Sequence, residues 1–245
     1  YLLMKKVRGA LMYPGIIISA MIVVGVLMLV FVVPTLTATF KELNVDLPAS
    51  TKAIIAVSDF LGNHSLIALF SFAAFVALFV AALRQPKGKR VAEMIVLRVP
   101  VIGELVKKTY AARTGRTLSS LLSSGVDMVE AIRITEEVIQ NSYFKDVLRD
   151  AAESVQKGTP LSDSFKKEGS VYPILVGEKT EVGEETGKLA DMLSQVAVFY
   201  ESEVEEATRN LATIVEPFLM VLVGVVVGFF AVSMISPTYS LLNNI

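Results

Sequence analysis

Two kinds of hydrophobic patterning alternate along the chain. In residues 14–33, 65–83 and 217–235 apolar side chains run on without a single charge. Each stretch is close to the ~20 residues that, at ~1.5 Å per residue, cross a hydrocarbon core of ~30 Å. Pro34, Arg84 with Pro86, and Pro237 follow them, so prolines or charges are expected to end each helix. Between Arg84 and Glu216 apolar positions instead recur every three or four residues. After Pro100, the series Ile102, Leu105, Val106, Tyr110, Thr114, Leu118 and Leu121 predicts an amphipathic helix that Gly125 caps. Asp127 is expected to cap the next helix, running to about Ile139 with Val129, Ile132 and Val138 inward. Asn141 breaks it, and a further helix follows from Tyr143 to Gln156. Gly158, Thr159 and Pro160 then stop and restart the chain, with the proline at the first position of a short helix to Glu168. Tyr172 and Pro173 fall in a loop before a helix over 174–185. The last helix begins near Gly187 and carries the stripe Leu189, Leu193, Val196, Tyr200, Val204, Ala207, Leu211 and Ile214 into the third apolar stretch. No segment shows the period-two alternation of strands. The predicted class is all-α: three transmembrane helices and a cytoplasmic bundle of about six helices.

Composition narrows the chemistry. Of 245 residues 53% are hydrophobic, and the mean hydropathy is +0.59, above the ~45–50% apolar content of soluble domains. There is no cysteine and one histidine, His64, which excludes disulfides, thiolate nucleophiles and Cys- or His-pair metal sites. No apolar stretch holds an ionisable residue, which argues against a transporter or an intramembrane protease. The run Gly183-Glu184-Glu185-Thr186-Gly187-Lys188-Leu189 is not a phosphate loop, because Val182 and Leu189 stand where glycine and Ser/Thr are required. A calcium site among the carboxylates would need six or more converging oxygens. No catalytic, cofactor-binding or metal-ligating residue is predicted. Small residues at helix-contact spacing are Gly224 with Gly228, Ala73 with Ala77 and Ala81, and Gly15 with Ser19. The first pair is assigned to helix packing in the membrane.

Charge sets the expected topology. Lys5, Lys6 and Arg8 precede the first stretch, and Arg84, Lys87, Lys89 and Arg90 follow the second, so both ends of this hairpin are placed in the cytoplasm. The expected organisation is the end of a truncated first cytoplasmic domain at 1–13 and transmembrane helices at 14–33, 65–83 and 217–235. An external loop at 34–64, a cytoplasmic domain at 84–216 and an external tail at 236–245 complete it. Residues 84–116 carry nine basic and two acidic side chains, whereas residues 117–216 carry nine basic and nineteen acidic ones. The basic end suits anionic lipid, and the acidic end disfavours nucleic acid. A shift of 203 residues lays Pro14 on Pro217, Gly25 on Gly228, Pro34 on Pro237 and Thr35 on Thr238. This points to a duplicated unit whose first copy is missing from the chain, which opens at Tyr1 in mid-pattern.

Residues 115–126, Gly-Arg-Thr-Leu-Ser-Ser-Leu-Leu-Ser-Ser-Gly-Val, resemble the first-helix motif of the type II secretion F domain. Val182-Gly183-Glu184-Glu185-Thr186-Gly187-Lys188-Leu189 resembles its Gly-Glu-Glu-(Ser/Thr)-Gly-x-Leu motif, and Tyr13-Pro14 and Glu216-Pro217 resemble its entries to membrane helices. Asp127 departs from the proline often found there. The resemblance implies an inner-membrane platform protein of a type IV pilus or type II secretion machine (PilC/GspF-type), without catalysis or cofactor. Its implied partners are a hexameric assembly ATPase, pilin or pseudopilin subunits, other inner-membrane components, the bilayer and further copies of itself. Gly183, Glu184, Glu185 and Gly187 are the candidate site, either as a structural turn with a carboxylate cap or as a contact for basic residues of the ATPase. The competing reading is a membrane signal transducer whose cytoplasmic bundle relays a signal from the external loop.

Overall fold

The computed structural model describes residues 2–42 and 47–242, where eleven α-helices and one π-helical turn are the regular elements. They form two compact units: one holds Ala81–Asn210 with the first residues to Val7, the other Arg8–Val80 with Leu211–Ile245.

The apolar unit departs from expectation at its prolines. Helix α1 (Leu2–Leu27) passes through Pro14, and the π-helical turn Met28–Val32 carries it into α2 (Val33–Glu42), which contains Pro34. The region expected as an external loop holds helices, most of α2 and all of α3 (Ala49–Asn63), with residues 43–46 outside the described residues. α4 (Ser65–Arg84) follows, and α11 (Leu189–Leu242) runs through both Pro217 and Pro237. Prolines do not end these helices, and at Pro34 and Pro237 the stranded carbonyl is met by a hydroxyl from another helix. In α11 the Ser233 carbonyl would accept from residue 237, but proline has no N–H. The Thr51 hydroxyl on α3 donates to that carbonyl instead, at 2.6 Å. In the first span the Val33 amide donates to Met28 across the π turn. The Leu29 carbonyl is therefore left to Pro34, which has nothing to give, and the Ser58 hydroxyl donates to it at 2.5 Å. Thr51 and Ser58 stand seven residues apart, about two helical turns, and so share one face of α3. Both are buried, with Ile54 between them. Two of the helices are long and apolar enough to cross a membrane, and a third crossing is counted if α4 is taken with the helix that follows it. By itself α4, at 20 residues, measures about 30 Å.

The second unit is a bundle: α5 (Pro86–Arg98), α6 (Ile102–Ser123), α7 (Met128–Val138), α8 (Ser142–Gln156), α9 (Leu161–Lys167), α10 (Ile174–Thr186) and the start of α11. Its core centres on Tyr172, whose ring meets Phe144 at 5.0 Å and Phe165 at 4.8 Å edge-on. The Tyr172 hydroxyl shares a 2.9 Å hydrogen bond with buried Thr114. Tyr172 thus lies in a connection, as the sequence implies, and yet is a fully buried side chain. The cap predicted at Asp127 forms, accepting from the Val129 amide, and Asn141, read as a helix break, caps α8 by accepting from the Tyr143 amide, each at 3.0 Å. Gly125, Gly158 and Gly187 close α6, α8 and α10 with positive φ. Three local expectations shift. Pro160 precedes α9 rather than opening it; Ile102 and Val138 are exposed; and the inward face of α7 is Ala131, Ile132 and Thr135. Small residues missing from the α6 stripe, Ala111, Ala112 and Gly115, are buried as well. The reason is proximity: a Cβ at Gly115 would stand 2.8 Å from the Leu193 carbonyl and 3.3 Å from the Ala197 amide of α11. Lys108–Glu203 at 2.7 Å and the two-pronged Arg116–Glu201 pair bind the same two helices. Part of the basic-to-acidic gradient is therefore consumed between α6 and α11.

Candidate functional site

Residues 183–189 join α10 to α11. The Lys188 amide donates to the Gly183 carbonyl at 2.9 Å and the Gly187 amide to the Glu184 carbonyl at 3.4 Å. This nested pair needs a left-handed residue at Gly187, where φ is +69°. Gly183 serves a different end. A Cβ there would lie 2.8 Å from the Leu189 Cα and 3.2 Å from the Met192 Cβ, so only glycine lets α11 leave against α10. The two glycines of the motif thus act together, one through conformation and the other through space.

The two glutamates separate. Glu184 is half-buried, and its carboxylate accepts from the Leu161 amide at 2.6 Å, the Ser162 amide at 3.2 Å and the Ser162 hydroxyl at 2.6 Å. It caps the first turn of α9, where exposed amides and the helix dipole both favour an anion. It does not cap its own turn. A sequence signal for this existed: α9 is preceded by Pro160, which offers no side-chain acceptor, so its amides need a partner from a distance. Glu93 plays the same part for α8, accepting from both the amide and the hydroxyl of Ser142. Sequence reading missed Glu93 altogether. Glu185 is exposed and makes no hydrogen bond or ion pair among the described residues. Beside it a shallow depression is lined by Lys188, Asp191, Gln195 and Phe199 among others. Phe199 is 48% exposed and Val198 52%, so the depression offers apolar contact beside Lys188 and Asp191. Among the described residues no cluster of His, Asp or Glu is arranged to hold a metal ion.

The membrane glycines are arranged differently from the turn. Among the described residues nothing comes within 4 Å of a Cβ built at Gly224 or Gly228, so neither makes a close helix contact with them. Gly224 instead lines an open groove with Ile17, Leu219, Met220, Val223 and Val227, and Glu216 stands among its lining residues.

Comparison with known proteins agrees with this reading of the chain. The family described as Type II secretion system (T2SS), protein F matches residues 116–237, from the middle of α6 through the turn to the last apolar stretch. The type IV pilus assembly protein PilC of Thermus thermophilus is 37% identical over 240 residues, covering 98% of this chain and 59% of that protein. PilC of Pseudomonas aeruginosa is 34% identical over 242 residues, with 98% and 64% covered. The type II secretion system protein F of Pseudomonas aeruginosa is 31% identical over 237 residues, with 97% and 58% covered. The chain therefore spans about three fifths of the length of these relatives. With the Gly183–Leu189 motif, the small-residue α6 and the paired prolines all inside the aligned region, the chain belongs to the type II secretion F family of PilC- and GspF-type proteins.

Proposed function

We propose that the chain is the core of a multi-pass inner-membrane platform that couples a cytoplasmic assembly ATPase to insertion or extraction of pilin or pseudopilin subunits. The observation that carries this is covalent. α11 is one helix of 54 residues that starts at the Gly187 turn of the bundle and ends in the apolar unit, so a load placed on that turn has an unbroken path into the span. The matched family region covers that same path. The apolar groove along Gly224 supports the second half of the reading, since an incoming subunit helix needs a lipid-accessible, mostly apolar seat. Gly224 and Gly228, unused within the chain, are available for such a helix or for a second copy. Exposed Glu185 and the depression around Phe199 are the proposed contact for the ATPase. No step of this work requires catalysis by the chain itself.

The test uses the full chain in lipid nanodiscs and the hexameric pilus or secretion ATPase of the same cell. Retention of the ATPase, weakened by Glu185→Lys and by raised salt, is expected. Normal filament assembly and secretion in cells lacking the chain, together with no retained ATPase, would refute the proposal.

A further inference from the structure

We infer that α5 is an in-plane helix, lying in the headgroup layer of an anionic bilayer with Val91, Ile95 and Val99 turned into lipid. These residues follow one another at intervals of four and so form one stripe. Val91 and Ile95 are 54% and 58% exposed, which is costly for large aliphatic side chains on a water-facing helix. Lys87 stands one turn ahead of the stripe and Arg98 beside it, both exposed, in the order that suits headgroup phosphates flanking an apolar face.

The opposite face of α5 is already occupied. Leu97 packs against the bundle core, Glu93 holds the start of α8, Lys89 donates to the Gln140 carbonyl at 3.0 Å, and Arg90 pairs with Asp146 at 2.8 Å over the Tyr143 ring. The orientation of the helix about its own axis is therefore fixed, and the stripe cannot roll inward.

Chain connectivity identifies the occupant. α4 is apolar and exposed from Phe70 onward, with Phe70 and Leu78 each 71% exposed, and ends at Arg84, so only Gln85 separates a lipid-facing helix from α5. Gln85 is extended (φ −71°, ψ 141°), which ends the α4 axis. The elbow is closed tightly, because a Cβ at Gly88 would stand 1.9 Å from the Ala82 carbonyl oxygen. A helix that starts one residue past a span, with four basic residues among its thirteen, emerges at headgroup depth.

The absence of cysteine permits a direct test with the full chain in nanodiscs of phosphatidylcholine with phosphatidylglycerol. A fluorescent label at Ile95→Cys is expected to be quenched by lipids brominated near the glycerol end of the acyl chain and protected from aqueous iodide. A label at exposed Glu153→Cys should behave oppositely, and one at Phe75→Cys in α4 should report lipid. Omitting phosphatidylglycerol, or combining Lys87→Gln with Arg98→Gln, is expected to lose part of the lipid quenching at Ile95 while Phe75 stays unchanged. An Ile95 label as open to iodide as Glu153 would overturn the inference. So would one shielded from both quenchers, which would mean a protein surface, such as a second copy, covers the stripe. Lipid quenching at Phe75 in the same samples separates either failure from a chain that does not span.

Discussion

Replacing Thr51 with valine removes one hydroxyl at almost constant volume, and the consequences depend on a residue 186 positions away. The Ser233 carbonyl would lose its 2.6 Å donor, and Pro237 has no amide to replace it. An unmet buried carbonyl costs about 1–3 kcal/mol, more in hydrocarbon than in water-lined protein. Thr51→Val should therefore destabilise the apolar unit by that amount. In a Pro237→Ala background α11 regains an amide at the right position, and the same Thr51→Val change should cost under about 0.5 kcal/mol. Ser58→Ala with Pro34→Ala should repeat the pattern at the Leu29 carbonyl. The assay is titration of mixed micelles with denaturing detergent, read from a fluorophore at exposed Asn63→Cys at the end of α3. Equal cost of Thr51→Val with and without Pro237 would refute the claim that the hydroxyl substitutes for the missing amide. It would leave ordinary packing as the explanation.

Other expected outcomes follow from the same structure. Glu184→Ala strands two amides and a hydroxyl at α9 and should lower bundle stability by about 1.5–3 kcal/mol; Glu185→Lys should leave the melting temperature unchanged and weaken ATPase retention instead. Gly224→Leu with Gly228→Leu should leave folding of the single chain intact, since both sites face open space, and reduce oligomer formation or filament output. Cysteines at exposed Ala49 and exposed Asp163 should label from opposite sides of sealed vesicles; labelling of both from one side would refute the topology. Burial and the Thr114 hydrogen bond set the Tyr172 phenol, with burial dominant, so its pKa is raised well above 10. The folded state then holds a proton that the unfolded state releases. Stability is complete below pH 10 and falls above it by about 1.4 kcal/mol per pH unit. Alkaline melting of Tyr172→Phe should lack that component.

Local signals in the sequence carried a long way. Gly125, Asp127, Asn141 and Gly187 act on backbone groups within a few residues of themselves, and each does in the structure what its type suggests. The all-helical class was equally readable, because spans and amphipathic stripes are periodic. What escaped was non-local. Pro34 and Pro237 read as helix ends because the hydroxyls that rescue their carbonyls lie on α3, far along the chain. Glu184 was expected to cap its own turn or meet a partner, and Glu93 went unnoticed, because the helices they cap begin 23 and 49 residues from them. Val138 read as core from its type alone, while the narrow buried face of α7 went to Ala131 and Thr135, whose size suits a close neighbour.

The missing side chain at Gly115 has a mechanical consequence. Where helices meet through long side chains, rotamer changes absorb small displacements, and one helix can creep past the other before the second responds. At Gly115 the α6 backbone rests against the Leu193 carbonyl and the Ala197 amide, with ion pairs at Lys108 and Arg116 on the same seam. Such a joint has almost no slack. Rotation or axial travel of the start of α11 is handed to α6 without lost motion, so the pair behaves as one shaft, and any compliance in the bundle must come from its connecting turns.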